Sequence, residues 1–194
     1  LIVRNPFSTQ KNKTCDELVS WVDMAPTLLD FAGVQTPPVT QTEERGGPTS
    51  YMHGKSWKAV FYGTNTFRSD TVFLSHSFHG LTQYYPMRTI VTRQYKLIWN
   101  IAHALEFPYA SDLWDSATWQ AFLKSGQKKY GVRNIEAYKN RPAFELYDLN
   151  KDPQELVNRA NDPAYKAIFD RLLASIKVQQ RKTGDPWVSK WVHE

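Results

Sequence analysis

The pattern that most limits what this chain can fold into lies toward its C-terminal end, where Tyr165, Ile168, Phe169, Leu172, Leu173 and Ile176 recur at helical spacing. These positions lay one apolar stripe along a helix. Asp162 is placed to cap it, Pro163 suits its first position, and Gly184 stands where it would stop. A stripe of that width must be covered by another apolar layer, and the chain offers short β-runs for the purpose. Thr71–His76, Met87–Thr92, Tyr95–Asn100 and Glu145–Leu149 are rich in β-branched and aromatic residues. Arg93-Gln94 separates two of these runs as a tight hairpin without the usual glycine, and Asn150-Lys151-Asp152-Pro153 closes the last one. The expected fold class is α/β of the α+β kind: an antiparallel sheet of about four strands, packed by a long helix over 163–182.

Elsewhere the elements are shorter. Asp23–Ala32 is expected to be a helix with Asp23 as N-cap, Pro26 in its first turn and Gly33 at its stop. Trp114–Leu123 also reads as helical. Leu1-Ile2-Val3, closed by Asn5-Pro6, suggests a buried strand running into a turn. Gln35–Ser50 holds Pro37, Pro38, Gly46, Gly47 and Pro48 without apolar periodicity, so a domain boundary is expected there, with 1–50 in one unit and 51–194 in another. A start at Leu1, with neither an initiator Met nor a leader pattern, suggests the interior of a longer protein.

Composition excludes several classes. At 194 residues, 41% hydrophobic and 22% charged, the chain fits one globular domain or one plus part of another, and not a collagen, coiled coil or disordered tail. No apolar run approaches the ~20 residues of a membrane helix. The balance of 24 Lys+Arg against 19 Asp+Glu, a net +5, suits a polyanionic partner. Only Lys128-Lys129 and Arg181-Lys182 are adjacent basic pairs, and no zinc-finger or RNA-recognition pattern is present, which disfavours nucleic acid. Aromatic residues at 14% serve either a core or sugar-stacking surfaces. Cys15 is the single cysteine, so an intrachain disulfide and a cysteine-rich zinc site are both excluded. Asp16 and Glu17 follow it, and their negative charges oppose the thiolate that a nucleophile needs.

No Gly-x-Ser-x-Gly elbow, phosphate loop, dinucleotide fingerprint or His-Glu-x-x-His is present, so the familiar self-contained catalytic signatures are missing. What remains is a polar group at the first β-runs: His76, His79, Tyr84, Tyr85 and Arg88. Arg88 offers a bidentate fork for sulfate or carboxylate, and the two histidines can donate to an anion. The other reading is a surface loop with unconnected side chains, or an Arg88 that pairs with a carboxylate such as Asp148. Asp185-Pro186-Trp187 is open in the same way: Asp185 either caps a turn or binds a sugar hydroxyl or amine.

Two stretches carry a family resemblance. Val19-Ser20-Trp21-Val22-Asp23-Met24-Ala25-Pro26-Thr27-Leu28-Leu29-Asp30-Phe31-Ala32-Gly33-Val34 is like the segment VS-x-VD-x-x-PTLLDLAG. Glu145-Leu146-Tyr147-Asp148-Leu149-Asn150-Lys151-Asp152-Pro153-Gln154-Glu155 is like ELYDL-x-x-DP-x-E. In this order and spacing the chain resembles the sulfatases of the alkaline phosphatase superfamily. Tyr85-Pro86-Met87-Arg88-Thr89, Phe107-Pro108, Thr118-Trp119-Gln120 and Asp185-Pro186-Trp187-Val188 are similar to its sulfamidase-like subgroup, which cleaves N-sulfoglucosamine.

The resemblance implies the end of the large α/β domain over 1–50 and the small C-terminal domain over 51–194. It also implies a chain that closes the substrate pocket through His79, Arg88 and Asp185, with His76 and Tyr84 as secondary contacts. Catalytic and metal-ligating residues are expected outside it, because the C/S-x-P/A-S-R motif that yields formylglycine is absent here, and the calcium ligands belong to the preceding domain. The implied partners are a sulfated glycan and the N-terminal catalytic domain, with a homodimer as an option and neither nucleic acid nor membrane. The rival is a non-catalytic glycan-binding or structural module of the same fold. A lysosomal, periplasmic or secreted setting is implied, and Asn12-Lys13-Thr14 is the one glycosylation sequon, meaningful only on a eukaryotic secretory pathway.

Overall fold

A computed structural model describes residues 1–6, 8, 11–35, 52–63, 69–80 and 83–191. Most of the expected boundary segment Gln35–Ser50 lies outside the described residues. By compactness the chain divides into Leu1–Val72 with Lys177–Glu194, and Phe73–Ile176.

The second unit is built on a four-stranded antiparallel sheet. In chain order the strands are β1 (Thr71–His79), β2 (Gln83–Thr92), β3 (Tyr95–Asn100), the two-residue pair β4 (Lys129–Tyr130) and β5 (Arg133–Asn134), and β6 (Phe144–Asp148). The main sheet has the order β1-β2-β3-β6, and β4 and β5 form a separate ribbon. Register pairs Met87 with Asn100 and Val91 with Lys96 across β2 and β3, and Tyr95 with Asp148 across β3 and β6. The hairpin turns at Arg93-Gln94 as the sequence predicts. Thr92 replaces the missing glycine chemistry, its hydroxyl accepting from Tyr95 N at 2.9 Å and donating to Tyr95 O at 3.1 Å.

Because side chains alternate along a strand, this register sorts the sheet into two faces. Ile90, Leu97, Trp99 and Leu146 share one face and are buried. Against it lies the long helix α5 (Lys166–Thr183), preceded by a 3-10 turn at Pro163–Tyr165. Phe169 meets Phe144 edge-on at 5.2 Å, and Tyr165 meets Tyr95 at 6.4 Å. The expected stripe is therefore used, with Leu172 and Ile176 each 2% exposed, and each such side chain contributes roughly 1.5–3 kcal/mol. Asp162 caps as expected, its Oδ1 accepting from Ala164 N at 3.0 Å.

The opposite face carries Tyr85, Thr89, Ile98, Asn100, Glu145 and Tyr147 and is met by the excursion between β3 and β6, which holds α2 (Ser111–Asp115), α3 (Ala117–Lys124) and α4 (Ile135–Lys139). The single helix expected over Trp114–Leu123 is two, broken at Ser116, which is extended at ψ 134 and whose hydroxyl accepts from Trp119 N. Aromatic rings hold the excursion together: Phe107 packs on Tyr85 at 4.9 Å, Tyr138 on Phe107 at 5.4 Å, and Tyr109 on Trp119 at 5.1 Å.

In the first unit, α1 (Met24–Phe31) follows a 3-10 turn at Trp21–Asp23. Asp23 does not cap α1 as expected, since it is helical itself and makes no side-chain cap bond. Its carboxylate instead reaches back to Ser20 N at 2.8 Å and across to Lys55 N at 2.9 Å. Gly33, at φ +71, ends the helix. Trp57 and Phe61 pack near it, with Phe31 5.5 Å from Phe61 and Lys58 bridging to Asp30 at 3.0 Å. Leu1–Val3 is exposed and is not a strand.

Candidate functional site

The candidate residues of the second unit lie on β1 and β2, and hydrogen bonds divide them into two sets. His76 Nδ1 faces the Tyr85 carbonyl at 3.0 Å. A carbonyl only accepts, so Nδ1 is the donor in this contact. Arg88 is 8% exposed, and its Nη1 donates to the carbonyls of His76 at 3.0 Å and Met87 at 2.8 Å. His76, Tyr85 and Arg88 are thus brought together through the backbone, with the guanidinium stitching β2 to β1.

Tyr84 is 51% exposed, and His79 is exposed beside Gly80, whose φ of +65 turns the chain. Strand alternation puts His76 and His79 on opposite sides of β1, while Tyr84 and Arg88 share a side of β2. Of these four, His79 and Tyr84 are exposed, while His76 and Arg88 are tied down by their bonds to the backbone. Arg88 does not hold Asp148 within this sheet, because register sets Arg88 opposite Trp99 and Asp148 opposite Tyr95, four residues away.

Asp185 belongs to the other unit. Its Oδ1 accepts from Trp187 N at 3.0 Å and its Oδ2 from Gln180 Nε2 at 3.3 Å, so it caps the 3-10 turn at Pro186–Trp191. Cys15 is exposed. Among the described residues no three or more His, Cys, Asp or Glu side chains form a group that could hold a metal ion. This donor set does not fit the calcium implied for the family, and no chemical step here involves one.

A further polar group went unread in the sequence. Asn100, fully buried, donates from Nδ2 to Glu145 Oε1 at 2.7 Å and to Pro142 O at 2.8 Å, while Tyr147 donates to Glu145 Oε2 at 2.5 Å. Burial raises the Tyr147 phenol above its ordinary range, and the hydrogen bond to Glu145 and its charge add to this. Its only signal was polar residues at alternate positions of otherwise apolar runs.

The family model described as N-sulphoglucosamine sulphohydrolase, C-terminal, matches residues 1–117 of the 194. The chain belongs to this family. Human N-sulphoglucosamine sulphohydrolase is 30% identical over 192 residues, which is 97% of this chain and 37% of that protein. An ulvan-active sulfatase of Formosa agariphila is 26% identical over 186 residues, 95% of this chain and 33% of its own length. The chain thus spans about a third of the length of these relatives. Among solved structures, a 2-O GAG sulfatase superposes with TM-score 0.58 at 21% identity, covering 94% of this chain and 29% of its own. A protein solved with its substrate D-glucosamine-2-N,6-O-disulfate superposes with TM-score 0.51 at 20% identity, covering 84% and 24%. Both are likenesses of fold.

In this sulphohydrolase C-terminal region the two resemblance-bearing motifs do structural work. From the first, Asp23 ties Ser20 to Lys55, and the Thr27 hydroxyl, donating to Asp23 O at 2.6 Å, accepts from Trp57 N at 3.1 Å. From the second, Asp148 accepts from Tyr165 at 3.3 Å and Gln94 at 3.5 Å, with Lys151 3.6 Å away. Burial acts to raise its carboxyl, but these hydrogen bonds and the Lys151 charge prevail and hold it below the ordinary carboxylate value. Asp152 Oδ2 accepts from Leu156 N at 2.7 Å and Val157 N at 2.8 Å, and Glu155 takes Lys96 at 2.8 Å.

Proposed function

We propose that this chain is the C-terminal part of a sulfatase that hydrolyses sulfate from glycans, with N-sulfoglucosamine ends as its substrate class. The family match over residues 1–117, extended by 30% identity across 97% of the chain, is the observation that carries this reading. Residues 1–50 close the large domain, 51–194 form the small one, and the whole shapes one wall of the substrate pocket. The formylglycine nucleophile and calcium belong to the preceding catalytic domain, and the setting is lysosomal, periplasmic or secreted.

His79 and Tyr84 are the substrate-facing side chains, since they are exposed at the hairpin end, where binding residues on loops are commonly found. His76 and Arg88 hold the two strands that carry them, and Asp185 caps its own turn. The full-length enzyme should release sulfate from N-sulfoglucosamine faster than from an O-sulfated ulvan fragment, and His79→Ala should lower kcat/KM at least about tenfold, or ~1.4 kcal/mol, with an unchanged Tm. Preference for the ulvan fragment would overturn the substrate class. A His79→Ala enzyme that melts early but turns over normally would make His79 a fold support.

A further inference from the structure

In the main sheet the order β1-β2-β3-β6 leaves β1 and β6 at the two edges, and the two are finished differently. The outer side of β6 is sealed by the chain that follows it: Leu146 N donates to Asn158 Oδ1 at 2.9 Å, Asn158 Nδ2 donates to Phe144 O at 2.9 Å, and Arg159 N donates to Leu146 O at 2.7 Å. A side-chain amide there stands in for a neighbouring strand. On its outer side β1 has no neighbouring strand among the described residues, and Ser69 Oγ, donating to Thr71 O at 3.3 Å, closes only its first carbonyl. Natural edges are kept short, charged or interrupted by proline, because an open row of N–H and C=O groups pairs with any strand that meets it. β1 runs for nine residues with no proline and no Lys, Arg, Asp or Glu, and it holds Leu74 48% and Phe78 68% exposed. Such an edge is a pairing surface.

Its sequence also shows what fits. Laid antiparallel to a copy of itself about Ser75, the strand sets Val72 opposite the partner's Phe78, Phe73 opposite the partner's Ser77 and Leu74 opposite the partner's His76. An aromatic side chain opposite a β-branched one is a favoured cross-strand pair, and no Lys, Arg, Asp or Glu meets its like. Residues opposite each other share a face, and by alternation Leu74 and Phe78 lie on one side of the strand. In this register the exposed apolar side chains of both copies therefore gather in one strip across the axis.

We propose that the outer edge of β1 pairs antiparallel with β1 of a second copy of this chain, on a two-fold axis at Ser75, making one continuous sheet of eight strands. The inference stands apart from the substrate reading above, and its test reads mass and exchange, not catalysis. Sedimentation equilibrium of the full chain should show a dimer. Ser75→Lys sets two ammonium groups about 5 Å apart across the axis, where like charges oppose pairing, and should raise the dimer dissociation constant at least tenfold. Ser75→Glu should do the same. An equimolar mixture of the two variants should recover a mixed dimer at least as tight as the parent, because each ammonium then faces a carboxylate, and such recovery also shows that both variants fold. Trp21→Ser with Leu28→Ser, in the first unit, should change the dimer constant less than threefold. In the monomeric Ser75→Lys chain, alternate β1 amides should exchange freely with solvent. A parent that stays monomeric at about 0.1 mM, well above the Kd of a specific pair, would overturn the proposal. Failure of the mixture to recover would overturn it too. Association that survives Ser75→Lys but is lost with Trp21→Ser and Leu28→Ser would overturn it in favour of the first unit's apolar surface. Protection of every β1 amide in the monomer would overturn it by showing the edge already covered within one copy.

Discussion

At the scale of single residues, the sites most sensitive to change are backbone approaches and buried polar groups. A Cβ on Gly54 would stand 1.9 Å from the Val22 carbonyl oxygen and 2.8 Å from Asp23 Cα. Both are backbone atoms with no rotamer to move into, so the segment must retreat and take the Lys55-to-Asp23 and Trp57-to-Thr27 bonds with it. Gly54→Ala is expected to cost at least about 3 kcal/mol, the upper end for overpacking, as measured by urea unfolding. The titrating groups act in opposite pH ranges. Asp148 is held below the ordinary carboxylate value, so its stabilisation is present above that value and is lost as pH falls below it. Tyr147 is held above the ordinary phenol value, so its stabilisation is present below that value and is lost as pH rises further. Melts of the parent and of Tyr147→Phe should therefore converge at alkaline pH, once the parent has lost what the phenol supplies. A constant gap from pH 7 to 12 would mean that the hydroxyl contributes without titrating in that range, and no gap at any pH would mean that Tyr147 acts through packing alone.

At the scale of elements, sequence patterns were legible where an element was long enough to repeat. The α5 stripe and its Asp162 cap, and the 92–95 hairpin, came through because several positions each repeat one preference. Ribbon β4–β5 and helix α4 did not, because two strand residues or five helical ones are too short for a pattern to recur. Ser116 carried a readable cap signal, but the apolar run across it masked the break. Candidate-site legibility followed the same rule: residue types at β1 and β2 pointed to His76, His79, Tyr84 and Arg88, while their sorting into tied and exposed sets depends on strand register, which composition does not encode. The excursion between β3 and β6 depends on its ring cluster, since its helices are too short to stand alone. Trp119, 3% exposed, touches Tyr109, Phe122 and Tyr130. Trp119→Ala should cost about 3–5 kcal/mol. Hydrogen exchange should then loosen residues 107–141 more than β2 and β3, which keep their ladder and α5; uniform loosening of the sheet would show that the excursion is not a separable layer.

At the scale of the whole molecule, the distribution of apolar surface bears on how the chain is completed. Ile2 is 100% exposed, Leu1 70%, Trp21 80%, Val22 56% and Leu28 62%, all in the first unit. Single exposed apolar residues are common, but with Val3 there are six large ones among the described residues of the first 28 positions, which goes beyond scatter. Fully burying a side chain of this kind is worth roughly 1.5–3 kcal/mol, so together they hold enough free energy for a sizeable docking contribution. The relatives are about three times as long as this chain, and the catalytic domain proposed above is the partner that would cover this surface. The isolated chain should therefore bind a hydrophobic dye and self-associate with rising concentration, while showing no turnover of an aryl sulfate or of N-sulfoglucosamine. Trp21→Ser with Leu28→Ser should reduce dye binding several-fold without lowering the melting temperature of the sheet unit, because neither residue belongs to its core. In the full-length protein the same pair should weaken the attachment of the C-terminal region and lower activity. If the isolated chain binds no dye and melts in one sharp step, these side chains are satisfied within it, and the surface is not where the catalytic domain docks.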